Sequence, residues 1–278
     1  MPASEEPTPS LPREILDWYT HSYREADRLT KGLGLLERVR IQELIVRHIP
    51  APPAVICDVG GGTGVHAFWL AGLGYTVHLL DAVPIHIDHA QRVAERPDSP
   101  RLASIKVGDA RHLAYPDESA DVVLLFGPLY HLTAREDRLA AIAEARRVLR
   151  PGGTLLAYAL SRYASTIVGL LHGWVWDTDY QEMITEELTT GQHRKPENWN
   201  VLTTAFFHHP DELKAELNDA GMVHEKTVGI QGPGWMVPEF EENLEDPERR
   251  AIILKIARLV ETEPVLSPHI LAIARRPT

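Results

Sequence analysis

Between Ala54 and Leu160 the chain alternates short apolar runs with longer amphipathic stretches. The runs near 54–59, 75–81, 102–108, 120–126 and 153–160 predict strands. The stretches near 64–74, 85–96 and 135–149 carry apolar residues at helical spacing and predict helices. Repeated βα units of this kind fold as a parallel sheet covered on both faces. Further on, 210–220 reads as a helix stopped by Gly221, 222–229 as a strand and 247–262 as a helix. The segment 267–275 reads as a last strand entering the sheet beside the one from Met222.

Two segments lie outside this rhythm. From Glu14 to Leu29 helical spacing puts Ile15, Trp18, Tyr19, Ser22, Tyr23 and Ala26 on one face, and a second helix is expected over 35–49. From Ser161 to Phe207 the pattern is irregular and aromatic, with Tyr163, Trp174, Trp176, Tyr180, Trp199, Phe206 and Phe207. An insertion after the fifth strand stands above the C-terminal strand edges, where open α/β sheets bind ligands. The expected organisation is a disordered Pro-, Ser- and Glu-rich leader (1–12), a helical cap (13–50), a cofactor-binding core (51–160), an aromatic lid (161–207) and a completion of the sheet (208–278).

Composition narrows the function classes. The chain has 278 residues, 44% hydrophobic and 24% charged, as in an ordinary globular protein. Acids outnumber bases 39 to 28, a formal net charge of −11. The basic footprint of a nucleic-acid binder is missing, since Arg146-Arg147 and Arg275-Arg276 read as solvated element ends, so nucleic acid is not expected as substrate. No run suits a membrane span or a secretory signal, and a cytoplasmic location is expected. The one cysteine, Cys57, falls inside the first predicted strand, where it packs as a small apolar residue. Oligomeric state leaves no trace.

The chemistry begins at Val55-Ile-Cys-Asp58-Val-Gly60-Gly-Gly62-Thr-Gly64, a strand ending in an acid and running into a glycine-rich turn and a helix. Glycines there permit positive φ and close approach of a ligand to the backbone. The next strand ends at Asp81, suited to the two hydroxyls of a ribose. Gly62-Thr-Gly64-Val-His-Ala67 satisfies the dinucleotide pattern loosely, but Asp58 at the mouth of the turn would repel a pyrophosphate. A cofactor with an amino group and a sulfonium there would welcome the acid. Gly108-Asp109-Ala110 ends a third strand, with its acid placed for an exocyclic adenine amine. Leu149-Arg-Pro-Gly-Gly153 reads as a helix end, a turn and a strand.

In this order and spacing the sequence resembles the class I S-adenosylmethionine-dependent methyltransferases over residues 54 to 160. The resemblance implies an α/β, Rossmann-like sheet of seven mostly parallel strands with a reversed last strand and helices on both faces, plus the cap and lid. It implies S-adenosyl-L-methionine as cofactor and S-adenosyl-L-homocysteine as product. Asp58, Gly60, Gly62 and Gly64 would face the methionine moiety, Asp81 and the adjoining Ala82 the ribose, and Asp109 with Ala110 the adenine. Phe126-Gly127-Pro128 would pass close to the sulfonium.

Candidate chemistry follows the fourth strand. His131 is a candidate general base, having an ordinary pKa near operating pH, and Tyr130 a candidate for orienting the acceptor; packing at the next helix is the alternative for both. Tyr19 and Tyr23 are candidates to close over the methionine end, and Arg24 or Arg28 to meet its carboxylate. His193, His208 and His209 lack metal-ligand spacing, and no metal is expected. Tyr163, Trp176, Trp199 and Trp235, the last in a rigid Gly-Pro-Gly-Trp turn, are candidates to line an apolar acceptor pocket. The expected reaction is in-line methyl transfer to an oxygen, nitrogen or sulfur of a small molecule. A protein or RNA methyltransferase, a nicotinamide oxidoreductase and a non-catalytic cofactor-binding regulator are the rivals.

Overall fold

The fold is that of a computed structural model describing residues 12–22, 28–199 and 201–278. The expectations for the leader up to residue 11 and for Tyr23, Arg24 and Ala26 fall outside the described residues. In chain order come α1 (Arg13–Asp17), a π-helical turn (Trp18–Ser22), α2 (Gly32–His48), β1 (Val55–Val59), α3 (Val65–Gly72), β2 (Thr76–Asp81), α4 (Pro84–Ala94), β3 (Ser104–Val107) and β4 (Ala120–Leu125). Then follow α5 (Pro128–His131), α6 (Arg135–Val148), β5 (Leu149–Ser161), α7 (Ala164–His172), α8 (Thr178–Thr190), β6 (Gln192–His193), β7 (Ala205–His208), α9 (Pro210–Asp219), β8 (Val223–Gly229), α10 (Phe240–Glu245), α11 (Pro247–Leu259) and β9 (His269–Arg275).

Seven strands stand in the order β3-β2-β1-β4-β5-β9-β8, with β9 antiparallel to both its neighbours. This is the expected sheet with its reversed last strand. The short β6 and β7 pair with each other, and β7 meets the end of β5. Successive residues of the central strands feed opposite faces of the sheet. Ile56, Val77, Leu79, Val122 and Leu124 pack with α2, α3 and α4, whereas Cys57, Val59, Leu80, Val123 and Leu125 pack with α6 and α9. Burial on both faces is why these strands read as nearly continuous apolar runs.

The chain steps from β1 outward through β2 and β3, then returns to place β4 on the other side of β1. That reversal leaves a crevice at the C-terminal ends of β1 and β4. The turn over it admits only glycine at position 60. There φ is +77°, and a Cβ would lie 2.4 Å from the Phe126 carbonyl oxygen.

Two expectations change. The helical winding expected from Glu14 is not uniform, because α1 passes into a π-helical turn over Trp18–Ser22. The segment 161–207 is not irregular: α7 and α8 fill much of it. Its aromatic residues obscured ordinary helix signals. Gly173 and Gly191, both left-handed, end α7 and α8, and Asp177 caps α8 by accepting from the Tyr180 amide.

Candidate active site

The crevice opens into a cavity of about 670 Å³, its open mouth included, lined by Tyr19, Gly60, Gly62, Asp81, Ala82, Asp109, Ala110, Gly127, Tyr130 and His131, all singled out by the sequence, together with His86. Asp81 ends β2 and organises the floor. One carboxylate oxygen accepts from the Gly62 amide at 2.8 Å; the other accepts from the Val83 amide at 2.8 Å and meets His86 Nδ1 at 3.1 Å. Asp109 also lines the cavity, but its carboxylate is gripped by Arg111, whose amide and guanidinium donate at 2.6–3.2 Å. Burial opposes the Asp109 charge, and these donors nevertheless hold its pKa below the usual range.

A second cavity, about 480 Å³, adjoins the first across Gly60, Gly127 and Tyr130. Phe126 lines it, as do Gly61, Thr63 and His66 of the glycine turn and the following helix. Its charged walls come from the cap: Arg28 donates to both oxygens of Glu37, at 2.8 and 2.7 Å. Glu37 is 3% exposed. Burial works against its charge, but Arg28, and next His269 where acid protonates its ring, hold its pKa below the usual range. Tyr158 donates to Glu37 at 3.3 Å.

Asp58 and Gly64 border neither cavity. Asp58 lies fully buried beneath the glycine turn, where a Cβ on Gly61 would come within 2.6 Å of its carboxyl group. Neither oxygen makes a well-formed hydrogen bond to a described residue. Burial, and next the charge of Asp81, push its pKa up to about 7; the Ala67 amide offsets only part. Asp58 therefore reaches neither cavity directly, because the turn itself lies between.

A third and wider cleft, about 1390 Å³ with its open mouth, lies under the lid. Its aromatic lining matches the expected character, but the residues differ. Trp18, Tyr19, Tyr130, Tyr158, Trp174, Tyr180 and Phe207 form it. Of the expected set, Trp176 is 84% exposed and points away. Trp199 backs the wall, packed against Trp174 and Tyr180 at 5.5 and 4.9 Å between ring centroids. Tyr163 packs on His209, and Trp235 sits in the turn before α10; neither lines the cleft. His193 does reach the cleft, with Nδ1 2.5 Å from the buried Glu187 and Nε2 2.8 Å from the Leu202 carbonyl oxygen. His208 is buried against Glu216, and His209 caps α9. Among the described residues no group of three or more His, Cys, Asp or Glu is placed to hold a metal ion.

His131 is enclosed. Its Nε2 lies 2.7 Å from the Tyr19 hydroxyl, its Nδ1 is buried without a hydrogen-bond partner, and burial lowers its pKa to about 4. It is thus neutral near pH 7, but its affinity for a proton is poor. The ring instead seats Tyr19, which packs edge-on against both His131 and His86. Glu37, His66, His86, Tyr158 and His269 went unnoticed in the sequence. Only His86 left a local signal, standing in the first turn of the helix that follows Asp81; the others reach the site from α2, α3, β5 and β9.

Residues 57–157 match the family model described as a methyltransferase domain. The ubiquinone/menaquinone biosynthesis C-methyltransferase UbiE of Caulobacter vibrioides is 31% identical over 163 residues, 55% of this chain and 61% of that protein. The probable tRNA methyltransferase 9B of Mus musculus is 30% identical over 107 residues, 38% of this chain and 22% of that one. The chain therefore spans less than two thirds of these relatives. A SAM-dependent methyltransferase from Methanosarcina mazei shares the fold with a TM-score of 0.58 at 20% identity, covering 84% of this chain and 97% of that one.

Proposed function

We propose that this chain, a class I S-adenosylmethionine-dependent methyltransferase, moves a methyl group onto a small, largely apolar molecule held under the lid. One observation carries the reading: Tyr130 lines all three cavities. Two of those cavities together suit the cofactor, and the third is large enough for an acceptor beside it.

The donor set fits the cofactor part by part. In the first cavity Asp81 would hold the ribose hydroxyls, while Ala82, Val83, Ala110 and Leu132 offer apolar walls to the adenine. In the second, Arg28 and Glu37 complement the carboxylate and ammonium of an amino acid. When bound, S-adenosylmethionine supplies an electrophilic methyl group on a cationic sulfur. The chain contributes placement. Gly127, at φ +117°, brings the backbone to the junction without a side chain in the way. Tyr19, Tyr130 and Tyr158 stand between the cofactor cavities and the cleft, where they exclude water and aim the acceptor along the axis of displacement. Among the described residues the cleft is lined by Arg28, His193 and His269 and by no carboxylate, which favours an uncharged or anionic acceptor. Its aromatic walls favour an apolar or aromatic body.

The test is transfer of labelled methyl from S-adenosylmethionine into extract of the source organism, separated into small-molecule and macromolecular fractions. Label in the small fraction is expected. Label in RNA, the substrate in the name of one relative, or in protein would overturn the acceptor class. Absence of transfer and of S-adenosylmethionine binding would overturn the activity.

A further inference from the structure

The cleft contains one hydrogen-bonding chain whose direction is fixed from its buried end. Ser267 is 1% exposed, and its Oγ accepts from the backbone amides of Gln231 at 3.0 Å and Gly232 at 3.3 Å. With both lone pairs so used, the hydroxyl can only donate, and the Gln231 Oε1 stands 3.2 Å away to accept. That orients the Gln231 amide. Its NH2 group is then the atom 2.5 Å from His269 Nδ1, so Nδ1 must be the accepting nitrogen. In a neutral imidazole the proton then belongs to Nε2. Burial lowers the His269 pKa to about 4, despite the opposing charge of Glu37 3.4 Å from Nδ1 and with a further lowering from Arg28. The ring is therefore neutral at pH 7, and two backbone amides, transmitted through two side chains, select its tautomer.

His269 lines the acceptor cleft at the start of β9, paired with Leu160 and packed on Tyr158 at 5.3 Å between centroids. No described residue hydrogen-bonds to its Nε2. We propose that His269 presents a permanent neutral N–H donor to an oxygen of the methyl acceptor, and that the acceptor belongs to the class carrying a carbonyl, carboxylate or phenolate oxygen at that point. This rests on the reading of the cleft as the acceptor site. A donor there stabilises the ionised form of a hydroxyl acceptor, so that the proton is lost to solvent on binding and no protein base is needed. His269 is thus a substrate-binding and specificity residue that holds and helps ionise the acceptor without taking its proton.

The experiment uses the full chain saturated with S-adenosylhomocysteine and carrying 15N-histidine. Long-range NMR correlation is expected to show His269 protonated at Nε2 and bare at Nδ1, unchanged between about pH 5.5 and 8. A ring protonated at Nδ1, or doubly protonated in that range, overturns the proposal. In the same complex, 4-nitrophenol serves as probe, because its phenolate absorbs separately. Its apparent pKa should fall by about one unit or more on binding, a tenfold preference for the phenolate. His269→Phe should abolish that fall, and His269→Gln, which restores an N–H donor, should return part of it. Equal dye pKa values in the native protein and His269→Phe, or a dye that does not bind, overturn the proposal. His269 lines neither cofactor cavity but stands 3.4 Å from Glu37, so the S-adenosylmethionine affinity of each variant is measured alongside and the dye pKa values are compared only in complexes saturated with S-adenosylhomocysteine. Loss of that binding in the native chain would instead strike the methyltransferase reading itself.

Discussion

Glu37 is a carboxylate that burial alone would neutralise, kept charged by the guanidinium of Arg28 in contact with both its oxygens. An acid–base pair already arranged in the second cavity can meet an amino acid without reorganising. Glu37→Gln should weaken S-adenosylmethionine binding roughly ten- to a hundredfold, the worth of a charged hydrogen bond. It should leave 5′-methylthioadenosine, which has no amino acid part, unaffected. Calorimetry with the two ligands checks this, and an equal loss for both would place Glu37 outside the ligand's reach. Asp58 is the opposite case, a buried acid with no well-formed hydrogen bond. Asp58→Asn keeps its shape and removes the charge. The variant should resist urea at least as well as the native protein at pH 8, yet bind S-adenosylmethionine several-fold more weakly, because the nearby acid favours the cofactor's cationic end. Weaker folding with unchanged binding would make Asp58 a purely structural acid. At this scale the sequence disclosed Asp81, Asp109 and the glycines, because a strand, a turn and the helix after it form one local unit. Glu37 and Tyr158 stand 121 residues apart, and no local pattern announces their meeting.

The N-terminal segment shows what an element contributes when its own helix is short. α1 holds only five residues, yet Glu14 accepts from Thr203 Oγ1 at 2.9 Å and Thr204 Oγ1 at 2.8 Å, tying it to the lid. One π-turn later Tyr19 reaches His131, so the segment bridges the lid and α5 at the wall of the first cavity. Tyr19→Phe should raise the KM for S-adenosylmethionine several-fold and change kcat little, since the lost bond of about 1 kcal/mol holds the cover rather than the reacting atoms. A fall in kcat at unchanged KM would return Tyr19 to the chemistry. The apolar face of this segment was legible, whereas the change of winding at Trp18 was not. The lid divides in the same way. Its aromatic character was plain in the sequence, but which rings face the cleft is set by tertiary packing. Tyr180 and Met183 of α8 are buried along the cleft, whereas Trp176, in the turn between α7 and α8, is turned out to solvent.

The molecule as a whole hides titratable groups around the ligand cavities, and its stability should carry their signature. His66, His131 and His269 are buried neutral, each with a pKa lowered from 6.5 to about 4 by burial. In the unfolded chain they take up protons near pH 6.5, but the folded state refuses them until about pH 4. The unfolded state therefore gains with acidification through that window, and stability falls. Asp58 acts in reverse. Its pKa rises from 3.8 to about 7 on folding, so its contribution improves as pH falls from 7 toward 4. Three groups against one leave a net loss, on the order of a few kcal/mol between pH 7 and 4.5. Urea midpoints measured across that range should decline on the acid side. Because Asp58→Asn removes the opposing group, its decline should be steeper. A midpoint that stays level in the native protein would mean that these histidines are already charged, or open to water, in the folded state. Saturating S-adenosylmethionine should displace the whole curve upward by mass action, and the shift should shrink where protonation of the cavity walls weakens binding. The sheet that carries these cavities could be drawn from apolar runs alone. The pH dependence could not, because it arises from histidines on α3, α5 and β9 that become buried only once the sheet has closed.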